Sequence, residues 1–259
     1  MTSKAKALTL ITAALTAVAV LGQSDSNWTL PRDLAPTPST RVDAPAMKGS
    51  AASALESLTE RRTARPGYRP EHFGQRWSDA ATGVSGARNG CDTRSDVLRR
   101  DLQELVIDPG TQGCSPASGR LLDPYTGQQG TYQRRGESSI DIDHVVSLAD
   151  GWRSGAWSAD QHSRERFAND PLNLLATLSS TNRSKGDRPA QSWPGTTPIG
   201  ALVSDTARCD LVARQIAVKT KYEMSVTPQE RAAMREALTR CPGQVLPTSE
   251  ESAVPAPER

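Results

Sequence analysis

The chain has 259 residues, with 31 Lys and Arg against 29 Asp and Glu, and hence a formal net charge of only +2. This length allows one or two domains with a sizeable core, and the balanced charge excludes a strongly basic field over the whole protein. Contact with nucleic acid would therefore need a local cluster of basic residues.

The N-terminal segment 1–23 has the features of an export signal. Lys4 and Lys6 precede an uncharged, mostly apolar run over 7–22, which is too short for a comfortable membrane span. We therefore predict a secreted, extracellular protein with no stable membrane span after signal cleavage. Because Val20-Leu21-Gly22 lacks a clean small-x-small cleavage pattern, the alternative is an uncleaved anchor that holds the protein on the outer face of the membrane.

Composition divides the rest of the chain into three parts. Residues 24–69 are rich in Pro, Ser, Ala and Thr and have few large apolar side chains, which predicts a disordered linker. The tail 244–259 has a similar composition and is also predicted to be disordered. The folded domain is predicted over 70–243.

The first part of this domain is predicted to be a helix followed by turn-linked strands. Asp92 or Thr93 can cap the helix. Leucines follow at helical spacing, at Leu98, Leu102 and Leu105. The segment 119–135 has a turn signal at 123–127 between short extended stretches.

The second part is predicted to contain one more strand and several helices. The strand ends near His144, because Ile140 and Ile142 alternate with polar residues before it. Short helices are predicted over 161–167 and from about 179 to 185. Two longer helices close the domain, and the last opens with Thr227-Pro228-Gln229-Glu230, a capping box with proline at the first helical position.

The four cysteines fit an exported protein, because an even count in an oxidising compartment indicates disulfides. Zinc is the competing interpretation, but no Cys-x-x-Cys occurs and no histidine lies close to a cysteine. If the last two helices form an antiparallel hairpin, Cys209 lies near Cys241. This geometry favours pairing Cys209 with Cys241, which leaves Cys91 with Cys114.

The residues that can carry chemistry follow the predicted strand. The chain has three histidines, and His144 follows Asp143 at the end of an alternating apolar run, with Asn173 and Asn182 downstream. A neutral imidazole can take a proton from water, and carboxylate and amide oxygens are ligands for a hard divalent cation. The pattern therefore predicts a one-metal phosphodiesterase with His144 as the general base.

Backbone geometry places a condition on this site. Neighbouring residues on a regular strand point to opposite faces, so Asp143 and His144 can serve one cleft only if the strand ends or kinks there. Asn173 and Asn182 are nine residues apart, and a single continuous helix would put them on opposite sides. The pattern therefore predicts an extended segment over 173–177 and a helix that begins near 179.

Together these motifs resemble the HNH, or ββα-metal, endonuclease family. Ile142-Asp143-His144-Val145-Val146 is similar to the first motif of the family, Asn173-Leu174-Leu175 to the middle asparagine, and Asn182-Arg183-Ser184-Lys185 to the variant in which Asn replaces the final His. The HNH domain of CRISPR effector nucleases has a similar arrangement. Secreted bacterial HNH endonuclease family proteins are more similar still, since they also carry the motifs found here at 91–94, 123–127 and 182–187. The resemblance covers roughly 70–242.

The resemblance implies an α+β fold, with a ββα-metal core embedded in a mainly helical, disulfide-stapled domain. It implies an endonuclease that cleaves DNA, with RNA as a second candidate substrate. His144 takes the general-base position, Asp143 and Asn182 the metal-ligand positions, and Asn173 a positioning role. Because the final His is missing, Mg²⁺ or Mn²⁺ is favoured over zinc or nickel. Asp141, on the same strand face as Asp143, is the alternative ligand.

Four basic residues are candidates for contact with the substrate phosphates. Arg183 and Lys185 lie beside Asn182, and Arg94 belongs to the Cys-Asp-Thr-Arg motif. Arg153 is the fourth candidate. The competing interpretation is that each is an ordinary surface residue, since a run of charges is usually a solvated face.

Two other functions stay open. A non-catalytic module that binds nucleic acid or the cell surface would retain DNA in a gel without nicking it. A hydrolase of another phosphoester would turn over small phosphodiesters and leave a plasmid intact.

Overall fold

The computed structural model describes residues 49–195 and 197–258. Within these ranges seven α-helices accompany five strands in two small antiparallel sheets, which is the expected α+β class. The helices are α1 (Ala51–Ser57), α2 (Thr93–Asp101), α3 (Leu148–Ser154), α4 (Gln161–Asn169), α5 (Ser179–Lys185), α6 (Asp205–Lys221) and α7 (Pro228–Thr239). The strands are β1 (Gln103–Ile107), β2 (Pro116–Leu122), β3 (Gln129–Gln133), β4 (Ile140–His144) and β5 (Leu174–Leu178).

The two sheets differ in connectivity. The first has the order β1-β2-β3 and is joined by short connections. In the second, β4 pairs with β5, and α3 and α4 lie between them in sequence. The register places His144 opposite Leu174 and Asp143 opposite Leu175. The strand predicted to end near His144 is therefore confirmed.

The break between strand and helix after Asn173 is also confirmed. β5 ends at Leu178, and α5 begins at the next residue, Ser179. The chain thus follows a strand–strand–helix order through β4, β5 and α5. Because α5 packs on β4, its last residue, Lys185, reaches the backbone of His144.

Local sequence signals account for several helix ends. The Asp92 side chain accepts a hydrogen bond from the Ser95 N–H at 2.9 Å and caps α2. Thr227 and Glu230 form the predicted capping box of α7. The predicted first helix is shorter than its leucine spacing suggests, because the chain turns extended at Leu102, and Leu105 lies in β1.

Both expected disulfides are present. Cys91 pairs with Cys114, and Cys209 pairs with Cys241. The second joins α6 to the residues that follow α7, as the hairpin argument requires.

The predicted linker extends too far along the chain, because residues from 49 onward are packed into the fold. Ala51, Leu55 and Leu58 are buried in a cluster with α6 and α7. The Arg231 guanidinium donates to the backbone oxygens of Leu55 and Leu58. A few apolar residues at helical spacing are therefore enough to pack a segment onto the domain where other helices offer a complementary surface. The average composition of the segment does not reveal this spacing. Residues 1–48, with the predicted export signal, lie outside the described residues.

The tail is likewise not the free segment that its composition predicts. Ser252 is buried, and its backbone oxygen accepts a hydrogen bond from Arg100 at 2.9 Å. Arg99 donates to the backbone oxygen of Pro255 at 2.9 Å, and Val254 packs on a core cluster. The arginine guanidinium groups bind backbone oxygens of this segment. Every residue has such an oxygen, so the composition of the tail does not predict these contacts. No described helix is both long and apolar enough to cross a membrane.

Candidate active site

His144 is held by its ring at the end of β4. Its Nε2 lies 2.9 Å from the backbone oxygen of Ala168, which follows from α4 packing beside the strand. Since a carbonyl only accepts, this hydrogen bond requires the proton on Nε2. Nδ1 then carries a lone pair and has no hydrogen-bond partner among the described residues. This is the tautomer that a proton acceptor needs.

The indole of Trp77 fixes the plane of the His144 ring. The two rings are stacked, with centroids 5.7 Å apart and an interplanar angle of 13°. Trp77 adopts a φ of 54°, which is unusual for a bulky side chain and persists only where the surrounding structure imposes it. Sequence reasoning missed this residue, because nothing in its local pattern points to His144.

The surroundings keep His144 neutral. Burial lowers its pKa to about 4, opposed by the hydrogen bond to the Ala168 oxygen and assisted by the nearby charges of Lys185 and Arg76. The imidazole is therefore unprotonated at neutral pH.

Asp143 points away from this ring and is already fully engaged. The Tyr125 hydroxyl donates to Oδ2 at 2.8 Å, and the Lys185 ammonium donates to Oδ1 at 2.9 Å. The Asp143 side chain is 3% exposed and that of Lys185 0%. Burial raises the pKa of Asp143, while Lys185 and Tyr125 oppose that rise. The free carboxylate expected beside His144 is therefore absent, because strand alternation turns Asp143 to the opposite face.

Asn173 is completely buried, and its side chain pins the loop after His144. Its Oδ1 accepts from the N–H of Val146 at 2.9 Å, and its Nδ2 donates to the oxygen of Val146 at 3.2 Å. A second Nδ2 contact, at 3.4 Å, reaches the oxygen of Phe167. Asn173 thus links the end of β4 to the end of α4, the two elements that hold the His144 ring.

Asn182 lies on α5, beside the backbone of β4. Its Nδ2 is 3.5 Å from the oxygen of Ile142, a long contact. Its Oδ1 has no hydrogen-bond partner within residues 49–195 and 197–258. Asp141, the alternative ligand, lies opposite Thr177 in the β4–β5 register. Over residues 49–195 and 197–258, no group of three or more His, Cys, Asp or Glu side chains is arranged to hold a metal ion.

The four basic candidates are not gathered around one substrate path. Lys185 is buried with Asp143 and does not face solvent. Arg153 pairs with Asp187 at 3.1 Å. The guanidinium of Arg94 lies over the Tyr132 ring, 5.7 Å from its centroid. Of the four, Arg183 is the one that is exposed without a recorded side-chain partner in the described part of the chain.

The Asp-Pro-Tyr-Thr-Gly motif, residues 123–127, contacts both strands of the β4–β5 pair. The buried Asp123 carboxylate accepts from the N–H groups of Tyr125 and Thr126 within the turn, each at 2.9 Å. It also accepts from the hydroxyl of Thr177 and the N–H of Leu178 on β5. The motif therefore joins its turn to β5 and presents the Tyr125 hydroxyl to Asp143.

A pocket of about 260 Å³ opens beside His144. Its lining combines aromatic side chains with polar groups and includes Tyr68, Phe73, Arg76, Trp77, His144 and Asn169. Three of the aromatic residues, Tyr68, Phe73 and Trp77, come from the segment before α2, to which no function was assigned from the sequence.

Comparison with known proteins places this site in a recognised family. Residues 92–237 match the family described as GmrSD restriction endonucleases, C-terminal domain. The chain is also 35% identical over 197 residues to an uncharacterized secreted protein of Arthroderma benhamiae, an alignment that covers 73% of this chain and 86% of that protein. Asp143, His144, Asn173 and Asn182 all lie within the matched range.

Proposed function

The chain belongs to the family of the C-terminal domain of GmrSD restriction endonucleases, and from this premise we propose that it is an endonuclease of the HNH type. Its substrate is nucleic acid, with DNA as the first candidate and RNA as the second. The protein acts outside the cell, a proposal supported by its disulfides and by the similarity to a secreted protein of Arthroderma benhamiae.

The observation that carries the proposal is the state of His144. Its Nε2 is bound to the Ala168 oxygen, its ring is stacked on Trp77, and its Nδ1 is unprotonated beside an open pocket. In the proposed step Nδ1 takes a proton from water as the water oxygen bonds to phosphorus. The ester P–O bond breaks, and the leaving oxygen departs with its electron pair. General-base catalysis of this kind contributes about 10²–10⁴-fold in rate.

The remaining site residues hold this base in position. Asn173 fixes the backbone that follows His144, and Lys185 donates to the His144 backbone oxygen at 2.6 Å. Neither side chain faces the pocket. Their role is therefore to position the imidazole, since small displacements of a reacting group are costly.

A divalent cation does not fit the site as it is packed here. Asp143 is almost fully buried, and its two oxygens already accept from Tyr125 and Lys185. Asn182 Oδ1 is one neutral oxygen, which is a weak site for Mg²⁺ or Mn²⁺ by itself. We therefore derive no step through a metal.

A plasmid-nicking assay tests the proposed function. The purified protein should nick plasmid DNA, and His144→Ala should reduce the rate by about 10²-fold or more. His162→Ala is the matched control, since His162 is exposed and its ring contacts Thr82 instead of the site. Equal activity of the two variants would defeat the proposal. Retention of DNA without nicking would favour the non-catalytic binding module.

The same assay separates two expectations about metal. The family resemblance expects EDTA to stop cleavage and Mg²⁺ or Mn²⁺ to restore it. If Asp143 stays paired with Lys185, as in this structure, no metal is bound there and cleavage should continue in EDTA. Loss of activity in EDTA would mean that Asp143 exchanges Lys185 for the ion.

A further inference from the structure

We propose that the pocket beside His144 holds one unpaired nucleobase of the substrate strand, adjacent to the phosphate that is cleaved. This inference rests on the proposed nuclease function and names its substrate as a single strand or a locally unpaired one. Three features of the pocket carry it: its aromatic walls, one buried acceptor without a partner, and a free guanidinium.

The walls of the pocket are suited to a flat ring. Tyr68 and Trp77 are partly exposed, and the buried Phe73 also lines the pocket. Aromatic side chains bind bases of single strands by stacking, because every base has a π face. The volume of about 260 Å³ lies just below the roughly 300–1,000 Å³ of sites for drug-sized ligands. It therefore suits one ring system.

Asn169 supplies an unsatisfied acceptor in the lining of this pocket. The residue is 1% exposed, and its Nδ2 donates to the Glu165 oxygen at 2.9 Å. Its Oδ1 is buried without a hydrogen-bond partner among the described residues. Buried polar atoms are nearly always paired, so an orphan beside a pocket points to a ligand that donates. The N–H groups on the Watson–Crick edge of a base are such donors, and they are available only when the base is unpaired.

Arg76 places a positive charge at the same pocket. Its side chain is exposed, with the guanidinium 5.7 Å from the centroid of the Trp77 ring. No carboxylate of the described residues lies within ion-pair distance of it, whereas Arg153 is paired with Asp187. Because Arg76 is close enough to lower the pKa of His144, a phosphate bound by Arg76 would lie near the base. Proteins that bind single strands combine two contacts, the stacking of a base on an aromatic side chain and the neutralisation of a phosphate by a basic one.

The experiment uses the full chain and a single-stranded oligodeoxynucleotide that carries one abasic nucleotide. Cleavage at each bond is mapped on a denaturing gel. For the wild type, a bond next to the abasic nucleotide should be cut more slowly than the others by about 5- to 150-fold, since one stacked base contributes about 1–3 kcal/mol and about 1.4 kcal/mol is tenfold. The same sequence as a duplex should be cut more slowly than the single strand.

Two variants connect this effect to the pocket. In Trp77→Leu, ordinary bonds should slow at least tenfold, and the difference between ordinary and abasic bonds should disappear. Asn169→Ala should reduce the same difference, since Asn169 makes no hydrogen bond to His144 in the described part of the chain and its loss leaves the bond from His144 to the Ala168 oxygen in place. Trp157→Leu is the matched control, because Trp157 is 43% exposed and lies outside the pocket lining.

The outcomes distinguish the two proposals. If the wild type cuts no nucleic acid, the proposed function fails. If it cuts ordinary and abasic bonds equally fast, or if Trp157→Leu removes the difference as fully as Trp77→Leu, the nuclease stands and the nucleobase pocket is wrong. Circular dichroism at the assay temperature checks that each variant is folded, and a variant that is unfolded is replaced by Trp77→Phe, which should retain part of the difference.

Discussion

The ammonium of Lys185 lies 2.9 Å from Oδ1 of Asp143, and both side chains are buried. Lys185 also donates to the His144 backbone oxygen at 2.6 Å. The last residue of α5 therefore holds two successive residues of β4, one by its side chain and one by its backbone. A residue expected to bind substrate phosphate instead fixes the strand that carries His144, the proposed general base.

This ion pair should be costly to break on one side. Lys185→Met leaves a buried carboxylate without its cation, and we expect the free energy of unfolding to fall by about 3–5 kcal/mol. In the double variant with Asp143→Asn the buried charge is gone, so much of the loss should be recovered. Urea unfolding of the wild type, both single variants and the double variant measures this coupling. A Lys185→Met protein as stable as the wild type would show that the pair is not formed.

His144 should make the protein less stable in mild acid. Its pKa is about 4 in the fold and near 6.5 in the unfolded chain, so the unfolded state takes the proton first as pH falls. The contribution of neutral His144 to the free energy of unfolding is fully present above pH ~6.5 and is lost as pH falls toward ~4. The total loss is at most about 3 kcal/mol.

Unfolding free energies at neutral pH and near pH 4.5 check this sign. The decline between the two should be smaller in His144→Gln than in the wild type, because glutamine does not titrate. His162→Ala should decline as the wild type does. An equal decline in His144→Gln would assign the acid sensitivity to other groups.

Asn173 should matter for both stability and rate. Asn173→Ala removes the partner of the buried Val146 N–H, and an unsatisfied buried donor costs about 1–3 kcal/mol. Because the same contact positions the segment after His144, kcat should fall more than KM changes. Asn173→Asp keeps an acceptor for the Val146 N–H but places a buried carboxylate oxygen against the backbone oxygens of Val146 and Phe167, so it should recover neither loss. Steady-state kinetics together with thermal unfolding measure the two effects.

The segment before residue 70 should contribute to stability. Leu55 is 1% exposed in the cluster with α6 and α7, so Leu55→Ala should lower the free energy of unfolding by about 2–5 kcal/mol. Ser53→Ala on the exposed side of α1 is the control and should change it by less than about 0.5 kcal/mol. A silent Leu55→Ala would restore the linker interpretation for this segment.

The Cys209–Cys241 bridge should be a major source of stability. It closes a loop with a sequence separation of 32, and the chain-entropy estimate for such a loop is about 3–4 kcal/mol. The double variant Cys209→Ser, Cys241→Ser should lose about this amount. Thermal unfolding of the oxidised variant measures this loss, and reduction should destabilise the wild type further, because it also opens Cys91–Cys114. A variant as stable as the oxidised wild type would contradict the prediction.

Local patterns in the sequence determined much of this protein. The strand that ends at His144, the helix that starts at Ser179 and the capping box at Thr227 follow from alternation and capping, which involve residues close in the chain. The Cys209–Cys241 pairing followed from a simple helical hairpin. These features depend on short-range geometry that the residue types themselves impose.

Only the tertiary structure decided which groups surround each reactive side chain. Asp143 meets Tyr125 and Lys185, the second of these 42 residues away, while its neighbour His144 meets Trp77 and the Ala168 carbonyl. Adjacent side chains of a strand point to opposite faces. The residues that each side chain contacts there are determined by the packing of segments distant in sequence. The sequence therefore singled out His144 as the candidate base, but the fold determined its tautomer, its protonation and the hydrogen bonds of the adjacent Asp143 carboxylate.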